Sequence, residues 1–263
     1  MNNDLLFLLC GNIVYALLAI LGINDIRKGL RPPSGMTLFA TLGGFLLQTF
    51  GLVLRGKETG GCPIGNPFEI IQFITWGLIL TYIAVGSAFR NSLLGILSAS
   101  MVTILGLGSF LRVSWDYPYH NSFFDGNPLI ELHASLALLS YAVFGLLSLT
   151  SLMYLIQNHY LHRKFFNYQA ELFPSLVELE KSNVRILKIG NLILVFSLII
   201  GTFYWITKPE NIETQKLFVT ILLSLAYLLV LYLGEKKILY HRKVSWICIL
   251  LFLGALISIA TIK

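Results

Sequence analysis

The sequence predicts an all-α protein, a polytopic bundle that crosses a membrane about eight times. Of its 263 residues, 56% are hydrophobic and only 12% are charged, and the mean hydropathy is +0.76. A soluble domain carries about 25% charged residues, so this chain has too little polar surface to face water on all sides. We therefore expect a single integral membrane domain over residues 1–263.

The apolar residues fall into eight runs, and each run approaches the roughly 20 residues that a helix needs to cross a bilayer. None alternates with the period of two residues that is typical of a membrane β-strand. The first run lacks a basic segment and a cleavage site, so we interpret it as a retained helix rather than a signal peptide. The predicted spans are Leu5–Ile23, Met36–Leu54, Phe68–Phe89, Leu93–Leu111, Ile130–Gln157, Ile186–Ile206, Leu217–Gly234 and Val244–Ile262.

The basic residues predict the orientation of these spans. Thirteen of the 19 Lys and Arg residues lie in one set of loops and six in the opposite set, and the richer set is expected to be cytoplasmic. Both termini then lie on the outer side. Topology thus accounts for the net charge of +6, and we expect no nucleic-acid partner. The basic residues of the cytoplasmic loop Asn158–Arg185 are expected to meet anionic membrane lipid, with a short amphipathic turn at Phe173–Glu180.

Several function classes are disfavoured by what the apolar runs lack. Away from their ends they contain no Asp, Glu, Lys or Arg, whereas proton relays and ion-coupled transporters place such groups near the middle of the bilayer. The sequence has no Walker A, His-Glu-x-x-His or Gly-x-Ser-x-Gly motif, and no Cys-x-x-Cys-His haem-attachment motif. We expect any chemistry to sit at a membrane face, and the chain not to be an enzyme by itself.

One outer stretch, Cys62 to Trp76, has the features of a capped helix start. Asn66 is suited to be the N-cap, Pro67 the first helical residue, and Glu69 the third residue of a capping box. Residues of polar and aromatic type then share one face, namely Glu69, Gln72, Phe73 and Trp76. This face either packs against neighbouring helices or lines a binding site, and the pattern alone favours packing.

A second outer stretch, Gly126 to His133, repeats the device with Asn127 as cap and Pro128 as first helical residue. His133 shares a helix face with the small residues Ala137 and Ser140 and with Tyr141. A neutral imidazole at the end of a membrane helix can ligate haem iron. Alternatively, it bonds a backbone carbonyl or a lipid headgroup, and without further information this second reading is favoured.

These stretches resemble the cytochrome c assembly protein family, the haem-handling membrane proteins that include the CcsA, CcmC and HemX-like branches. The resemblance runs from about residue 60 to the C-terminus. It is carried by Pro63-x-x-Asn66-x-x-Glu69-x-x-x-Phe73-x-x-Trp76, by His133-x-x-x-x-Leu138-x-Ser140-Tyr141-Ala142, and by Leu176-x-x-Leu179-Glu180 before Gly201. It implies a bacterial cytoplasmic (inner) membrane protein that binds haem near the outer face for attachment to c-type cytochromes.

The resemblance also implies candidate site residues. His133 matches the family's outer axial ligand of haem b, and His120 is the remaining outer histidine, because His159, His162 and His241 fall on the cytoplasmic side. The other candidates for the haem pocket are Glu69, Phe73, Trp76, Tyr141 and Trp205. We further expect a partner membrane protein of cytochrome c assembly, which would dock the apocytochrome.

Departures from the family pattern leave two other functions open. The tryptophan-rich motif with its Trp-Asp core is reduced to Trp205 and Lys216, Trp115-Asp116 lies in a different loop, and Gly234 stands where synthases have a histidine. These losses resemble the HemX-like branch more than a complete synthase. The chain could therefore be a HemX-like regulator of glutamyl-tRNA reductase, acting through Asn158–Arg185, or a structural subunit that no longer binds haem.

Overall fold

The computed structural model describes residues 2–30, 32–86, 92–117, 127–162, 173–207, 214–236 and 238–261. Within these ranges the secondary structure is helical and contains no strand, which confirms the predicted all-α class. The helices, numbered here in chain order, are α1 (Asn3–Arg27), α2 (Ser34–Thr59), α3 (Pro67–Thr81), α4 (Ser92–Leu111), α5 (Pro128–His162), α6 (Leu176–Thr207), α7 (Thr214–Glu235) and α8 (His241–Thr261).

The first seven helices of the described chain are long and apolar enough to cross a membrane, where α3 is counted with the π-helical turn Tyr82–Gly86 that continues it. Helix α8 contains most of the eighth predicted span. The chain is therefore a multi-pass membrane protein, as predicted. Which end of each helix faces the cytoplasm stays a prediction from the basic residues.

The connection between α5 and α6 is shorter than predicted, because both helices extend beyond their apolar runs. Helix α6 begins at Leu176, ten residues before the expected start of its span at Ile186. Ser175 caps it: its Oγ accepts a hydrogen bond from the Glu178 backbone N–H (3.3 Å), and the Glu178 carboxylate accepts one from the Ser175 N–H (3.1 Å). The stretch Phe173–Glu180 is thus largely the first turn of a long helix and not a separate turn, which corrects the prediction. Its Ser-x-x-Glu capping box was readable in the sequence.

The chain forms two compact units. The first unit comprises Met1–Gly126 and Tyr160–Pro174, and the second comprises Asn127–His159 and Ser175–Lys263.

In the first unit, α1 and α2 approach each other through glycines. A Cβ atom added at Gly44 would lie 2.6 Å from the Tyr15 ring, and one added at Gly51 would lie 2.7 Å from Leu8. Tyr15 and Leu8 are both fully buried. Small residues at helix contacts are common in membranes because they bring the backbones close enough for extensive van der Waals contact.

A network of buried amides and hydroxyls joins all four helices of the first unit. Gln72 of α3 lies at its centre: its Oε1 accepts hydrogen bonds from Asn12 Nδ2 of α1 (3.1 Å) and from Gln48 Nε2 of α2 (3.3 Å). Its Nε2 donates to Ser109 Oγ (2.9 Å) and to the Gly106 carbonyl (3.1 Å), both on α4. Gln72 thus belongs to the interior of this unit. Its amide bonds to other protein groups because the surrounding hydrocarbon offers no hydrogen-bond partner.

The second unit is organised around α5, whose residues from Ser140 to Ser151 are all buried. Phe144 packs on α6 at Gly190, where an added Cβ would lie 2.5 Å from its ring. The Phe144 ring also stacks on that of Tyr227 of α7, with a centroid distance of 3.7 Å and an angle of 7°. Asn191 Nδ2 donates to the Leu187 carbonyl (3.0 Å) and to that of Tyr227 (3.5 Å), linking α6 with α7.

The glycine contact between α1 and α2 can be tested by alanine substitutions at two neighbouring glycines. Gly44→Ala is expected to destabilise the protein by about 1–3 kcal/mol, because the added methyl would overlap the locked Tyr15 ring. Thermal unfolding in detergent, followed by intrinsic fluorescence, measures the effect.

The matched control is Gly43→Ala. Apart from the helix around it, no part of the described chain lies within 4 Å of a Cβ at that position, and alanine favours a helix more than glycine does. This variant should be at least as stable as the unmodified protein; equal destabilisation by both substitutions would contradict the packing argument.

Candidate functional site

The predicted cap at the start of α3 is confirmed. The Asn66 Oδ1 atom accepts a hydrogen bond from the Glu69 backbone N–H (2.9 Å), and Pro67 is the first helical residue. The return bond differs from the predicted capping box, because Glu69 Oε2 accepts from the Gly65 N–H (2.8 Å). The carboxylate therefore closes the turn that precedes the helix, and its other oxygen is left to face a cation.

That cation is Arg55, near the end of α2. Its Nε donates to Glu69 Oε1 (2.6 Å), its Nη1 donates to Asp4 Oδ2 (3.0 Å), and its Nη2 pairs with Asp116. The Asp4 and Glu69 side chains are almost fully buried and that of Arg55 is 12% exposed. One guanidinium thus joins the start of α1, the end of α2, the start of α3 and the segment after α4. We call these four residues the Arg55 cluster.

The Trp115-Asp116 pair belongs to this same end of the first unit. Asp116 binds Arg55, and the next residue, Tyr117, accepts a hydrogen bond at its carbonyl from Asn66 Nδ2 (3.1 Å). Trp115 packs against the cluster of Leu8, Leu52 and Phe68. These contacts give Trp115 and Asp116 a structural role within the first unit.

Phe73 and Trp76, two residues proposed for the haem pocket, contact each other on α3 with ring centroids 5.4 Å apart. Trp76 also stacks on Phe45 of α2 (5.7 Å, 17°), and its Nε1 donates to Thr49 Oγ1 (2.9 Å). The single hydrogen-bond donor of this indole is thus used within the first unit. The contacts show the packing that the face predicted, and they leave the role of these residues toward a ligand as a prediction.

His133 lies in the second turn of α5, after the confirmed cap in which Asn127 Oδ1 accepts from the Leu129 N–H (3.0 Å). Its ring faces α6, where Nδ1 lies 2.7 Å from the Ser197 carbonyl oxygen and 3.0 Å from Ser197 Oγ. The Ser197 hydroxyl donates in turn to the His133 carbonyl (2.9 Å). In the described part of the chain no hydrogen bond reaches Nε2.

Two further residues of α6 contact the imidazole, namely Gly201 and Trp205, which lie one and two turns beyond Ser197. A Cβ added at Gly201 would lie 2.7 Å from both Cε1 and Nδ1 of His133, so the ring rests directly on the glycine. The Trp205 ring meets the imidazole edge to face, with centroids 6.0 Å apart and planes at 68°. The structure thus brings together two of the predicted site residues, His133 and Trp205.

One further candidate stands apart from this contact. Tyr141, two turns along α5, is buried. His120 lies outside the described residues, so a pairing of His120 with His133 stays a prediction. Among the described residues no group of three or more His, Cys, Asp or Glu side chains could hold a metal ion. A haem iron needs only axial ligands from a protein, because the porphyrin supplies the other four.

Sequence reasoning missed the residues that position these candidates. Ser197 is one hydroxyl in an apolar run, and its partner His133 is 64 residues away. Arg55 is a single cation at the end of a span, and its partners Asp4 and Asp116 lie 51 and 61 residues away. The sequence shows that a cation lies at a helix end or that a serine lies in an apolar run. It contains no local pattern that predicts which other helix the side chain faces.

The fold and the histidine site together describe a multi-pass helical membrane protein with an imidazole held at a helix start. The chain belongs to the cytochrome c assembly protein family, whose model matches residues 64–262. It is similar to Protein HemX of Brevibacillus brevis (25% identity over 73% of this chain and 70% of the relative). It is also similar to Protein HemX of Bacillus subtilis strain 168 (24%, over 76% of this chain and 72% of the relative).

A further relative is cytochrome c biogenesis protein CcsA of Synechococcus sp. strain CC9902, with 31% identity over 43% of this chain and 38% of the relative. The family and these relatives make the protein a membrane protein related to cytochrome c biogenesis. They confirm the resemblance that the helix-start motifs carried.

The Arg55 cluster yields a test of what holds the start of α3. Arg55→Ala should destabilise the protein by about 3–5 kcal/mol, because it leaves the buried carboxylates of Asp4 and Glu69 without their cation. Thermal unfolding in detergent measures the loss.

Lys57→Ala is the control, since Lys57 is an exposed cation two residues away. It is expected to change the free energy of unfolding by less than about 0.5 kcal/mol. Equal stability of the two variants would show that the cluster does not support the fold.

Proposed function

We propose that this protein binds haem through His133 at the outer face of the bacterial cytoplasmic membrane and holds it for the assembly of c-type cytochromes. The observation that carries the proposal is the hydrogen bonding of His133: Nδ1 faces two oxygens of Ser197, and among the described residues none donates to or accepts from Nε2. A histidine that ligates a metal typically uses its second nitrogen in this way, donating to a carbonyl.

The donor set fits haem, which would supply an iron with an axial position open to an imidazole nitrogen. His133 would provide that nitrogen, and His120 is proposed as the second axial ligand. Trp205, whose ring already contacts the imidazole, would flank the macrocycle together with Tyr141. Glu69, Phe73 and Trp76 are proposed as pocket residues on the strength of the family resemblance.

The chain would carry out no bond chemistry by itself. It holds and presents haem, and a partner membrane protein would supply the docking site for the apocytochrome. The proposed orientation follows from the basic residues. His133 lies near the start of α5, and the other end of this helix, at His162, adjoins a loop of the basic set.

Absorbance spectroscopy tests haem binding. The detergent-purified protein, supplemented with haem, is expected to show a Soret band. His133→Ala should lower the affinity for haem at least about 10-fold, because it removes the axial nitrogen.

His162→Ala is the matched control, since His162 is an exposed histidine at the other end of the same helix. It should bind haem as the unmodified protein does. A Soret band that is unchanged in His133→Ala, or no band in the unmodified protein, would refute the proposal.

A second candidate function is regulation of glutamyl-tRNA reductase, the enzyme that opens tetrapyrrole synthesis. It is favoured by the two relatives named HemX, whose similarity covers 70% and 72% of their length, whereas the CcsA relative from strain CC9902 is covered over 38%. The working surface would then be cytoplasmic, within residues 158–185.

Deletion of the gene separates these functions. Loss of c-type cytochromes with normal haem-precursor levels is expected if the protein holds haem for cytochrome assembly. Altered precursor levels with normal c-type cytochromes would instead support the regulator. If neither changes, both functions are refuted, and the structural subunit is the alternative that is left.

A further inference from the structure

We infer that Ser197 and Gly201 of α6 are positioning residues that hold His133 in one tautomer and one ring orientation, with a bare Nε2 presented to a metal. The inference deepens the proposed function and rests on it for the identity of the metal, which would be haem iron. The statement about the tautomer concerns the protein alone and can be tested without haem.

The tautomer follows from counting protons at Ser197. The hydroxyl has one proton, and it is donated to the His133 carbonyl oxygen at 2.9 Å. The Oγ atom therefore presents a lone pair to His133 Nδ1 at 3.0 Å, and the Ser197 carbonyl presents another at 2.7 Å. Two acceptors at Nδ1 require that Nδ1 carries the proton. A neutral imidazole has one N–H, so Nε2 is left with a free lone pair.

The ring orientation follows from Gly201. Because the imidazole atoms Cε1 and Nδ1 lie 2.7 Å from the place where a Cβ would be, any other residue would displace the ring from its contact with Ser197. Because glycine has no side chain, the ring can pack directly against the backbone of α6. Trp205, one turn beyond Gly201 on α6, meets the imidazole at 68°, which limits the rotation of the ring.

This arrangement indicates the chemistry that His133 recognises. A free Nε2 lone pair binds a Lewis acid such as a metal ion, whereas an imidazolium would pair with carboxylates such as haem propionates. The ring has its only N–H engaged by Ser197, so we assign it to the iron and not to the propionates. The carbonyl acceptor at Nδ1 also makes Nε2 a more basic ligand, as second-shell acceptors of metal-binding histidines do.

Nitrogen NMR of ¹⁵N-histidine-labelled protein in detergent, without haem, tests the tautomer. The signal of residue 133 is assigned by its loss in His133→Gln. It is expected to show a protonated Nδ1 and an unprotonated Nε2. The opposite tautomer, or an even mixture of the two, would overturn the inference whether or not the protein binds haem.

Gly201→Ala tests the orientation. We expect it to displace the ring, to mix the tautomers and to weaken haem binding by about 10- to 100-fold, the usual range when a residue supporting a metal ligand is changed. The matched control is Gly254→Ala on α8, where a Cβ added to the described structure has no atom within 4 Å beyond its own helix. It should leave both the NMR signal and the affinity unchanged. Haem binding and tautomer unchanged in Gly201→Ala would overturn the role of Gly201.

Ser197→Ala tests the role of the hydroxyl alone, because the variant loses the hydroxyl and keeps the backbone carbonyl. It should shift the position of the Soret band and lower the affinity less than Gly201→Ala does, while keeping Nδ1 protonated. Ser182→Ala is the control, since Ser182 is a buried serine near the other end of α6 whose Oγ also donates to a backbone carbonyl (2.6 Å). A spectrum of Ser197→Ala identical to that of the control would overturn the role of the hydroxyl.

These outcomes are distinct from those of the haem-binding test. If the unmodified protein fails to bind haem but shows the expected tautomer, the proposed function fails and the assignment of Ser197 and Gly201 stands. If it binds haem through His133 with the opposite tautomer, the function stands and this assignment fails.

Discussion

Hydrocarbon offers no hydrogen-bond partner, so each polar group that these helices carry into the membrane must find one inside the protein. The contact of His133 with Ser197 is the instance on which the proposed function depends. It satisfies the imidazole N–H and the serine hydroxyl at once. In the inferred tautomer, the same contact leaves Nε2 as the nitrogen that would bind a metal. The hydrogen bonds that join α5 to α6 are therefore the same ones that orient the proposed ligand.

The first unit obeys the same constraint with different chemistry. Its interior is held by amides centred on Gln72, and its end is held by the guanidinium of Arg55 among carboxylates. A buried ion pair contributes little net stability, but loss of one partner is costly because a charge is left without compensation. The Arg55 cluster thus makes the start of α3 dependent on residues from three other segments. The positions of Phe73 and Trp76 follow from that start.

Glycines decide how closely the helices of each unit approach. Gly44 and Gly51 admit Tyr15 and Leu8 in the first unit, while Gly190 and Gly201 admit Phe144 and His133 in the second. All four occupy helical positions where glycine weakens the helix by about 1 kcal/mol relative to alanine. Close contact with an aromatic ring or a leucine on the facing helix offsets that cost, since van der Waals contact is the main attraction between helices in lipid. At Gly201 the same contact also orients the ring of His133, the proposed haem ligand.

The sequence by itself determined the helical class, the multiple spans and the caps at Asn66 and Asn127, because run length and capping chemistry act over a few neighbouring residues. It also determined the family and marked His133 as a candidate, since the motifs at helix starts are local patterns. The length of α6 was underestimated because its first turns are polar, although the capping box at Ser175 and Glu178 marked its start. Only the tertiary structure decided which oxygens face His133 Nδ1, which carboxylates surround Arg55, and which rings rest on the glycines. Arg55 and Asp4 lie 51 residues apart in the chain, and His133 and Ser197 lie 64 apart. A membrane span can present its polar residue to any neighbouring helix. Its choice depends on how whole helices pack, which no local pattern records.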